Sequence, residues 1–110
     1  MMARIRTIKP EFWAKNCEVW LHGYCLYVIQ EVDSGLLKIG VAAHPIRRLS
    51  MLQCGNPRVL ALREIYAGDR VECRRVERCL HQKFAGENLR GEWFRSALSC
   101  VLVALEEMAK

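Results

Sequence analysis

The chain predicts an α+β fold: one small, mainly antiparallel three-stranded sheet flanked by helices, in the order ββαβαα. Three features carry this reading. Tyr24–Ile29 and Leu36–Val41 are short strand-like runs separated by the turn chemistry of Asp33-Ser34-Gly35, so they pair as an antiparallel hairpin. Arg58–Tyr66 alternates apolar and polar residues as a third strand does. Segments opening at His44-Pro45 and at Asp69 carry helical periodicity and the residues that start helices. At 110 residues, 52% hydrophobic and 26% charged, the composition fits a single soluble domain with a modest core.

Residues 1–20 differ in character from the rest. Pro10 and Glu11 suit the first turn of a short helix, the carboxylate favouring its N-terminal dipole. Phe12, Trp13 and Trp20 need apolar cover, so 1–20 reads as an extension packed on a domain spanning 21–110. In the hairpin, Tyr27 on the first strand and Lys38 on the second approach each other near one end of the ribbon. The helix from Pro45 brings Arg47 and Arg48 beside Leu49 and Leu52, and Gln53-Cys54-Gly55-Asn56-Pro57 closes it, with Gly past its end and Pro beyond.

Gly68 ends the third strand. Asp69, three residues before Glu72, gives the acceptor-x-x-Glu form of a capping box for a helix running to about Phe84. At about 100° per residue, Cys73, Val76, Cys79, Leu80 and Phe84 share one side. Arg70, Arg74, Arg78 and His81 fall opposite, with Glu77 at the border. Ala85–Gly91 reads as a polar loop that Trp93 and Phe94 lock to the core. Ser96 is placed to cap a last helix whose Leu98, Val101, Leu102 and Leu105 form an apolar stripe.

A net charge of +5 and a pI near 9.1 favour a polyanionic partner, DNA in the first instance. No run reaches membrane-span length, and the opening MMARIRTIK lacks the apolar stretch of a secretory leader. A cytoplasmic setting is therefore expected, with the six cysteines reduced. Cys25, Cys73, Cys79 and Cys100 occupy apolar-patterned positions and are expected to be buried. Cys17, His22 and Cys25 come nearest to zinc-ligand spacing but lack a fourth ligand.

These residues also carry a resemblance. Cys25-Leu26-Tyr27 and Lys38-Ile39-Gly40 stand where the two strand motifs of the GIY-YIG nuclease superfamily would be, and Arg48 stands at that superfamily's arginine spacing. Further matches are Pro45, Leu49, Leu52-Gln53 and Gly55-Asn56-Pro57, then Glu77 with Leu80-His81 and Phe84, then Gly91-Glu92-Trp93-Phe94. This wording is similar to the bacteriophage-type DNA-binding branch of the superfamily, over roughly Tyr24 to Phe94. It implies a phage or mobile-element origin.

The resemblance implies roles. Tyr27 would accept or relay the proton of the attacking water, and Lys38 would supply a cation favouring its phenolate, since an unperturbed tyrosine titrates at about 10. Arg48 would hold the scissile phosphate with its planar fork. Glu77 would ligate one divalent ion, Mg²⁺ or Mn²⁺, through a hard carboxylate oxygen. Arg47, Arg70, Arg74, Arg78 and His81 would contact the DNA backbone. Two departures stand out. Lys38 replaces a second tyrosine, and the late asparagine of many members has no clear counterpart, Asn88 and Glu92 being the neighbours. The ordinary roles of these residues are a strand aromatic, a helix-surface cation, a strand-edge charge and a surface-paired glutamate. The expectation is a metal-dependent DNA endonuclease. The alternatives are a DNA-binding module without turnover and a protein-interaction domain of a mobile element.

Overall fold

The structure is a computed structural model that describes residues Tyr24–Ala109. The expected extension over 1–20, with the Cys17 and His22 of the zinc-like spacing, lies outside them. Among the described residues the order is β1 (Tyr24–Glu31), β2 (Leu37–Ala42), α1 (Pro45–Gln53), β3 (Leu60–Gly68), α2 (Arg70–Lys83), a 3₁₀ turn (Ala85–Glu87), β4 (Asn88–Arg90), β5 (Trp93–Phe94) and α3 (Leu98–Ala109). The sheet is antiparallel throughout, in the order β3-β1-β2-β5-β4.

The α+β class stands, but the sheet has five strands rather than three. The stretch read as a polar loop folds into a 3₁₀ turn and the β4–β5 hairpin. Strands of three and two residues are too short to show an alternating pattern, so they are invisible to periodicity. Asn88 stabilises this hairpin, its Nδ2 donating to the carbonyls of Gly91 at 2.8 Å and Trp93 at 3.2 Å.

β1 lies between β2 and β3, and Cys25 through Ile29 are buried without interruption. A central strand covered on both faces reads as a continuous apolar run. Its side chains divide two cores. Leu26 and Val28 join Leu37, Ile39, Tyr66 and Phe94 under α2 and α3, through Cys73, Val76, Leu80, Val101 and Leu105. Cys25, Tyr27 and Ile29 join Leu60, Leu62 and Ile65 on the other face, covered by Leu49 and Leu52 of α1 and by Trp93. Each large apolar side chain so covered contributes about 1.5–3 kcal/mol, which makes β1 the strand both cores depend on.

α2 starts as expected, with the Asp69 carboxylate accepting from the Glu72 amide at 2.7 Å. The reciprocal half of the box is absent, because the Glu72 carboxylate pairs with Arg75 instead. α3 differs more. Ser96 does not cap it. The Ser96 hydroxyl donates to Glu87 at 2.8 Å, and the Ala97 carbonyl receives the first amides, those of Cys100 and Val101. Burial of the thiols also corrects the pattern. Cys25 and Cys73 are fully buried, and desolvation pushes them up to about 12 and about 11. Cys79 is only half-buried and Cys100 is exposed, since the outer turns of α2 and α3 face solvent.

Glu64, on β3 beside the irregular register at Val28/Ile29, is half-buried, and desolvation raises its carboxyl above the ordinary range despite a contact from the Ile65 amide. A carboxyl raised in the folded state binds more protons there than in the unfolded chain, so stability falls as pH climbs from the unfolded value through the folded one. Glu64→Gln removes the ionisation and keeps the acceptor. The variant should unfold at higher urea than the parent at neutral pH, and the gap should close towards about pH 4.

Candidate functional site

The site begins with a register. Tyr27 on β1 lies directly opposite Gly40 on β2, and Lys38 lies opposite Ile29. Cross-strand partners share a face, so Tyr27, Gly40, Ile29 and Lys38 all stand on the face that α1 covers. The Tyr27 ring is buried, at 1% exposure, and its end lies over Gly40. A Cβ at Gly40 would stand 2.5 Å from the Tyr27 hydroxyl oxygen, 2.8 Å from its Cζ and 2.6 Å from Glu92 Oε1. The glycine is required by this close approach, since its φ is not in the left-handed region.

Glu92 is the residue the sequence left at the margin. It sits in the turn between β4 and β5, where Gly91 takes φ +56°. Its backbone carbonyl accepts from the Ile39 amide at 3.0 Å. Its carboxylate pairs with Lys38 Nζ at 2.9 Å, and that ammonium also lies 5.8 Å from the centroid of Trp93. Asn88 braces the turn from outside and is itself exposed, so of the two candidates for the late polar position, Glu92 reaches the site. A Glu directly before two aromatic residues that anchor a strand was the available signal.

Lys38 therefore does not serve as expected. Its ammonium is engaged by Glu92, and the cation acting on Tyr27 is Arg48. Burial raises the Tyr27 phenol above its usual value, the nearby Arg48 guanidinium lowers it, and the Glu92 and Glu77 carboxylates raise it again. The net direction is upward, so the hydroxyl is neutral in the resting protein. Pro45 opens α1 and directs Arg48 from its first turn toward the sheet, with Arg48 N donating to the His44 carbonyl at 2.9 Å. Arg48 Nε is shut off from solvent and has no hydrogen-bond partner among the described residues. Such a donor costs about 1–3 kcal/mol if nothing meets it.

Glu77 arrives from the opposite face. α2 packs under the other core, yet β5 pairs only with Leu37 and Lys38, which leaves the outer edge of β2 open beyond Ile39. His81 occupies that edge, with Nε2 2.8 Å from the Ile39 carbonyl and the ring 5.0 Å from Phe94. Because a carbonyl only accepts, Nε2 carries the proton. His81 thus sits on the expected side of α2 with Arg74 and Arg78, but its ring is engaged at the sheet edge. Glu77, one turn earlier on the same stripe of α2, lies where the charges of Tyr27, Glu92 and Lys38 reach it. Its carboxyl is raised by burial first and by Glu92 next, against His81, Arg74 and Lys38, which lower it. It forms no ion pair among the described residues.

Glu77 and His81 line a cleft of about 380 Å³ with Arg74, Arg78, Gln82 and Ala85. Arg70 and Arg74 lie over the ring of Tyr24, at 5.7 and 6.0 Å. Both are exposed, as are Arg78 and, on α1, Arg47. Compared with known families, residues 24–109 match the T5orf172 domain. The chain belongs to the T5orf172 domain family. Comparison with curated proteins and with solved structures gives no match. The T5orf172 match begins at the first residue of β1 and ends at the last of α3, so both cores and every site residue named above belong to the domain. No helix among the described residues is long and apolar enough to cross a membrane.

The Gly40 contact is testable without any activity. Gly40→Ala should cost about 1–3 kcal/mol of stability, the range for overpacking. Tyr27→Phe removes the nearest contacting atom, so Gly40→Ala should cost measurably less in that background. A double-mutant cycle by urea unfolding checks this, and an unchanged penalty would place the clash on the ring and Glu92 Oε1 rather than on the hydroxyl.

Proposed function

We propose that this T5orf172 domain binds DNA and hydrolyses its phosphodiester bonds as a GIY-YIG-type, divalent-metal-dependent endonuclease. The observation that carries the reading is Arg48, a half-buried cation beside the Tyr27 hydroxyl that forms no ion pair among the described residues. A guanidinium held in that way suits an incoming phosphate oxygen, which accepts paired N–H donors. The T5orf172 domain is phage-associated and of DNA-binding and nuclease-like character, and that supports the choice of substrate, as does the excess of basic residues.

The residues present fit a hard divalent ion better than a soft one. Among the described residues no three His, Cys, Asp or Glu side chains gather as a metal cluster, and the half-buried Glu77 carboxylate is unpaired. Mg²⁺, or Mn²⁺, accepts one protein carboxylate with water and phosphate oxygens making up the rest. When bound, the ion would stabilise charge developing on the phosphate and on the leaving oxygen. Arg48 would orient the phosphate and neutralise its charge. Tyr27, neutral and buried beside Arg48, would relay the proton of the attacking water, its own phenol proton leaving as the water's arrives.

Arg48→Ala and Glu77→Ala should each lower plasmid nicking by roughly 10²- to 10³-fold, the usual cost of one such electrostatic contact, with circular dichroism unchanged. Tyr27→Phe should abolish nicking while keeping the ring packed. Nicking that persists in Glu77→Ala would assign the activity to another site or a contaminant.

A second reading, a DNA-binding module without turnover, is favoured by the stripe of Arg70, Arg74 and Arg78, two of which are steadied on Tyr24. Neutralising all three should flatten the dependence of DNA affinity on salt by up to about three counterion units, and Glu77→Ala should not weaken binding. Wild-type protein that binds DNA but nicks none, in Mg²⁺ or Mn²⁺, decides for this reading.

A further inference from the structure

A tyrosine that is 1% exposed cannot hold a proton taken from water unless its own proton leaves at the same time. A phenolate so buried would be a poorly solvated charge. Lys38, the cation nearest at hand in sequence terms, is already paired 2.9 Å away with Glu92. Arg48 is needed at the phosphate and has no lone pair with which to accept a proton. Two carboxylates act on the Tyr27 charge, Glu77 and Glu92, and the one with an oxygen placed beside the hydroxyl is the Glu92 carboxylate. Its Oε1 and the Tyr27 hydroxyl oxygen flank the same point over Gly40, within 2.6 and 2.5 Å of where a Cβ would stand.

Glu92 is also held for a task. The Ile39 amide fixes its backbone carbonyl, Lys38 holds the same Oε1 that stands over Gly40, and Asn88 braces the turn through Gly91 and Trp93.

We propose that Glu92 is the proton acceptor behind Tyr27, taking the phenol proton as the phenol oxygen takes one from the attacking water. This rests on the nuclease reading above. In the step, the water oxygen forms a new bond to phosphorus while the bond from phosphorus to the leaving oxygen breaks. One water proton passes to Tyr27, the Tyr27 proton passes to Glu92, and the leaving alkoxide is protonated from solvent. Glu92 then returns its proton to solvent, so the site ends as it began and no oxidant or reductant is involved. Lys38 orients the carboxylate throughout and does not change its protonation.

The test is single-turnover plasmid nicking by the full chain with Mg²⁺, with DNA affinity and circular dichroism recorded for each variant. Glu92→Gln should slow nicking by roughly 10²- to 10⁴-fold, the usual contribution of general-base catalysis, without loss of DNA affinity. Glu92→Ala, which has no amide to misplace, should be as slow. The decisive comparison uses the Lys38→Met background, where Glu92→Gln should still exact its full loss. If that loss vanishes there, Glu92 only positions Lys38 and the assignment is overturned. Wild-type nicking that needs Arg48 and is unaffected by either Glu92 variant overturns the assignment and leaves the nuclease reading standing. Wild-type protein that nicks no substrate overturns both.

Discussion

Tyr27 faces Gly40 across the β1–β2 pair, and the absence of a side chain at Gly40 sets the arrangement of everything near it. A tyrosine on a central strand usually packs its ring beside the Cβ of its cross-strand partner. Here the phenol lies over the bare backbone instead, and the space left by the missing methyl admits the Glu92 carboxylate from the far side of β2. The hydroxyl, the carboxylate and, through it, the Lys38 ammonium can gather only because one position of β2 is empty. This geometry precedes any chemistry. It follows from strand register and from the size of one residue.

The second constraint is the shortness of β5. A full-length strand against β2 would pair its outer edge and shut α2 behind the sheet. With only two residues paired, the carbonyl of Ile39 is left to His81, and the stripe of α2 that carries Glu77 stands at an open edge. A helix packed under one core can therefore place a carboxyl where the other face can feel it. Unpaired backbone groups at a sheet edge must find partners, and His81 supplies one while fixing the rotation of α2 about its axis. His81 thus ties α2 to the edge of β2, while the arginines at 74 and 78 on the same side of the helix stay exposed.

What the sequence made legible follows from how long each signal runs. β1, β2, both site-bearing helices and the hairpin between β1 and β2 repeat their pattern over six or more residues, enough for periodicity to show. The β4–β5 hairpin does not, and with it went the position of Glu92. Side-chain direction was harder still. Helical periodicity places His81 with the arginines, as their shared cleft does, but it carries no knowledge of the edge carbonyl that engages the ring. Likewise the role expected for Lys38 beside Tyr27 comes from the resemblance and from the approach of the two near one end of the hairpin. The true partner of Lys38 is 54 residues away along the chain, a distance that local pattern does not bridge. The expected cap at Ser96 failed for a similar reason, since Glu87 competes for the hydroxyl through the tertiary fold.

The charges around Tyr27 divide into a closed pair and an open pair. Lys38 and Glu92 satisfy one another at 2.9 Å. Arg48 has a buried donor without a partner, and Glu77 has a raised carboxyl without an ion pair. Leaving charged groups half-buried and uncompensated costs free energy in the folded state, so the open pair is where a ligand gains most. A phosphodiester at Arg48 would satisfy the cation but bring one more anion toward Glu77, which burial and Glu92 already disfavour as a carboxylate. A divalent cation held by Glu77 would supply the countercharge that favours its carboxylate form. In the proposed reading, phosphate and metal would therefore each favour the other's binding. That coupling follows from the unpaired charges, whichever of the two arrives first.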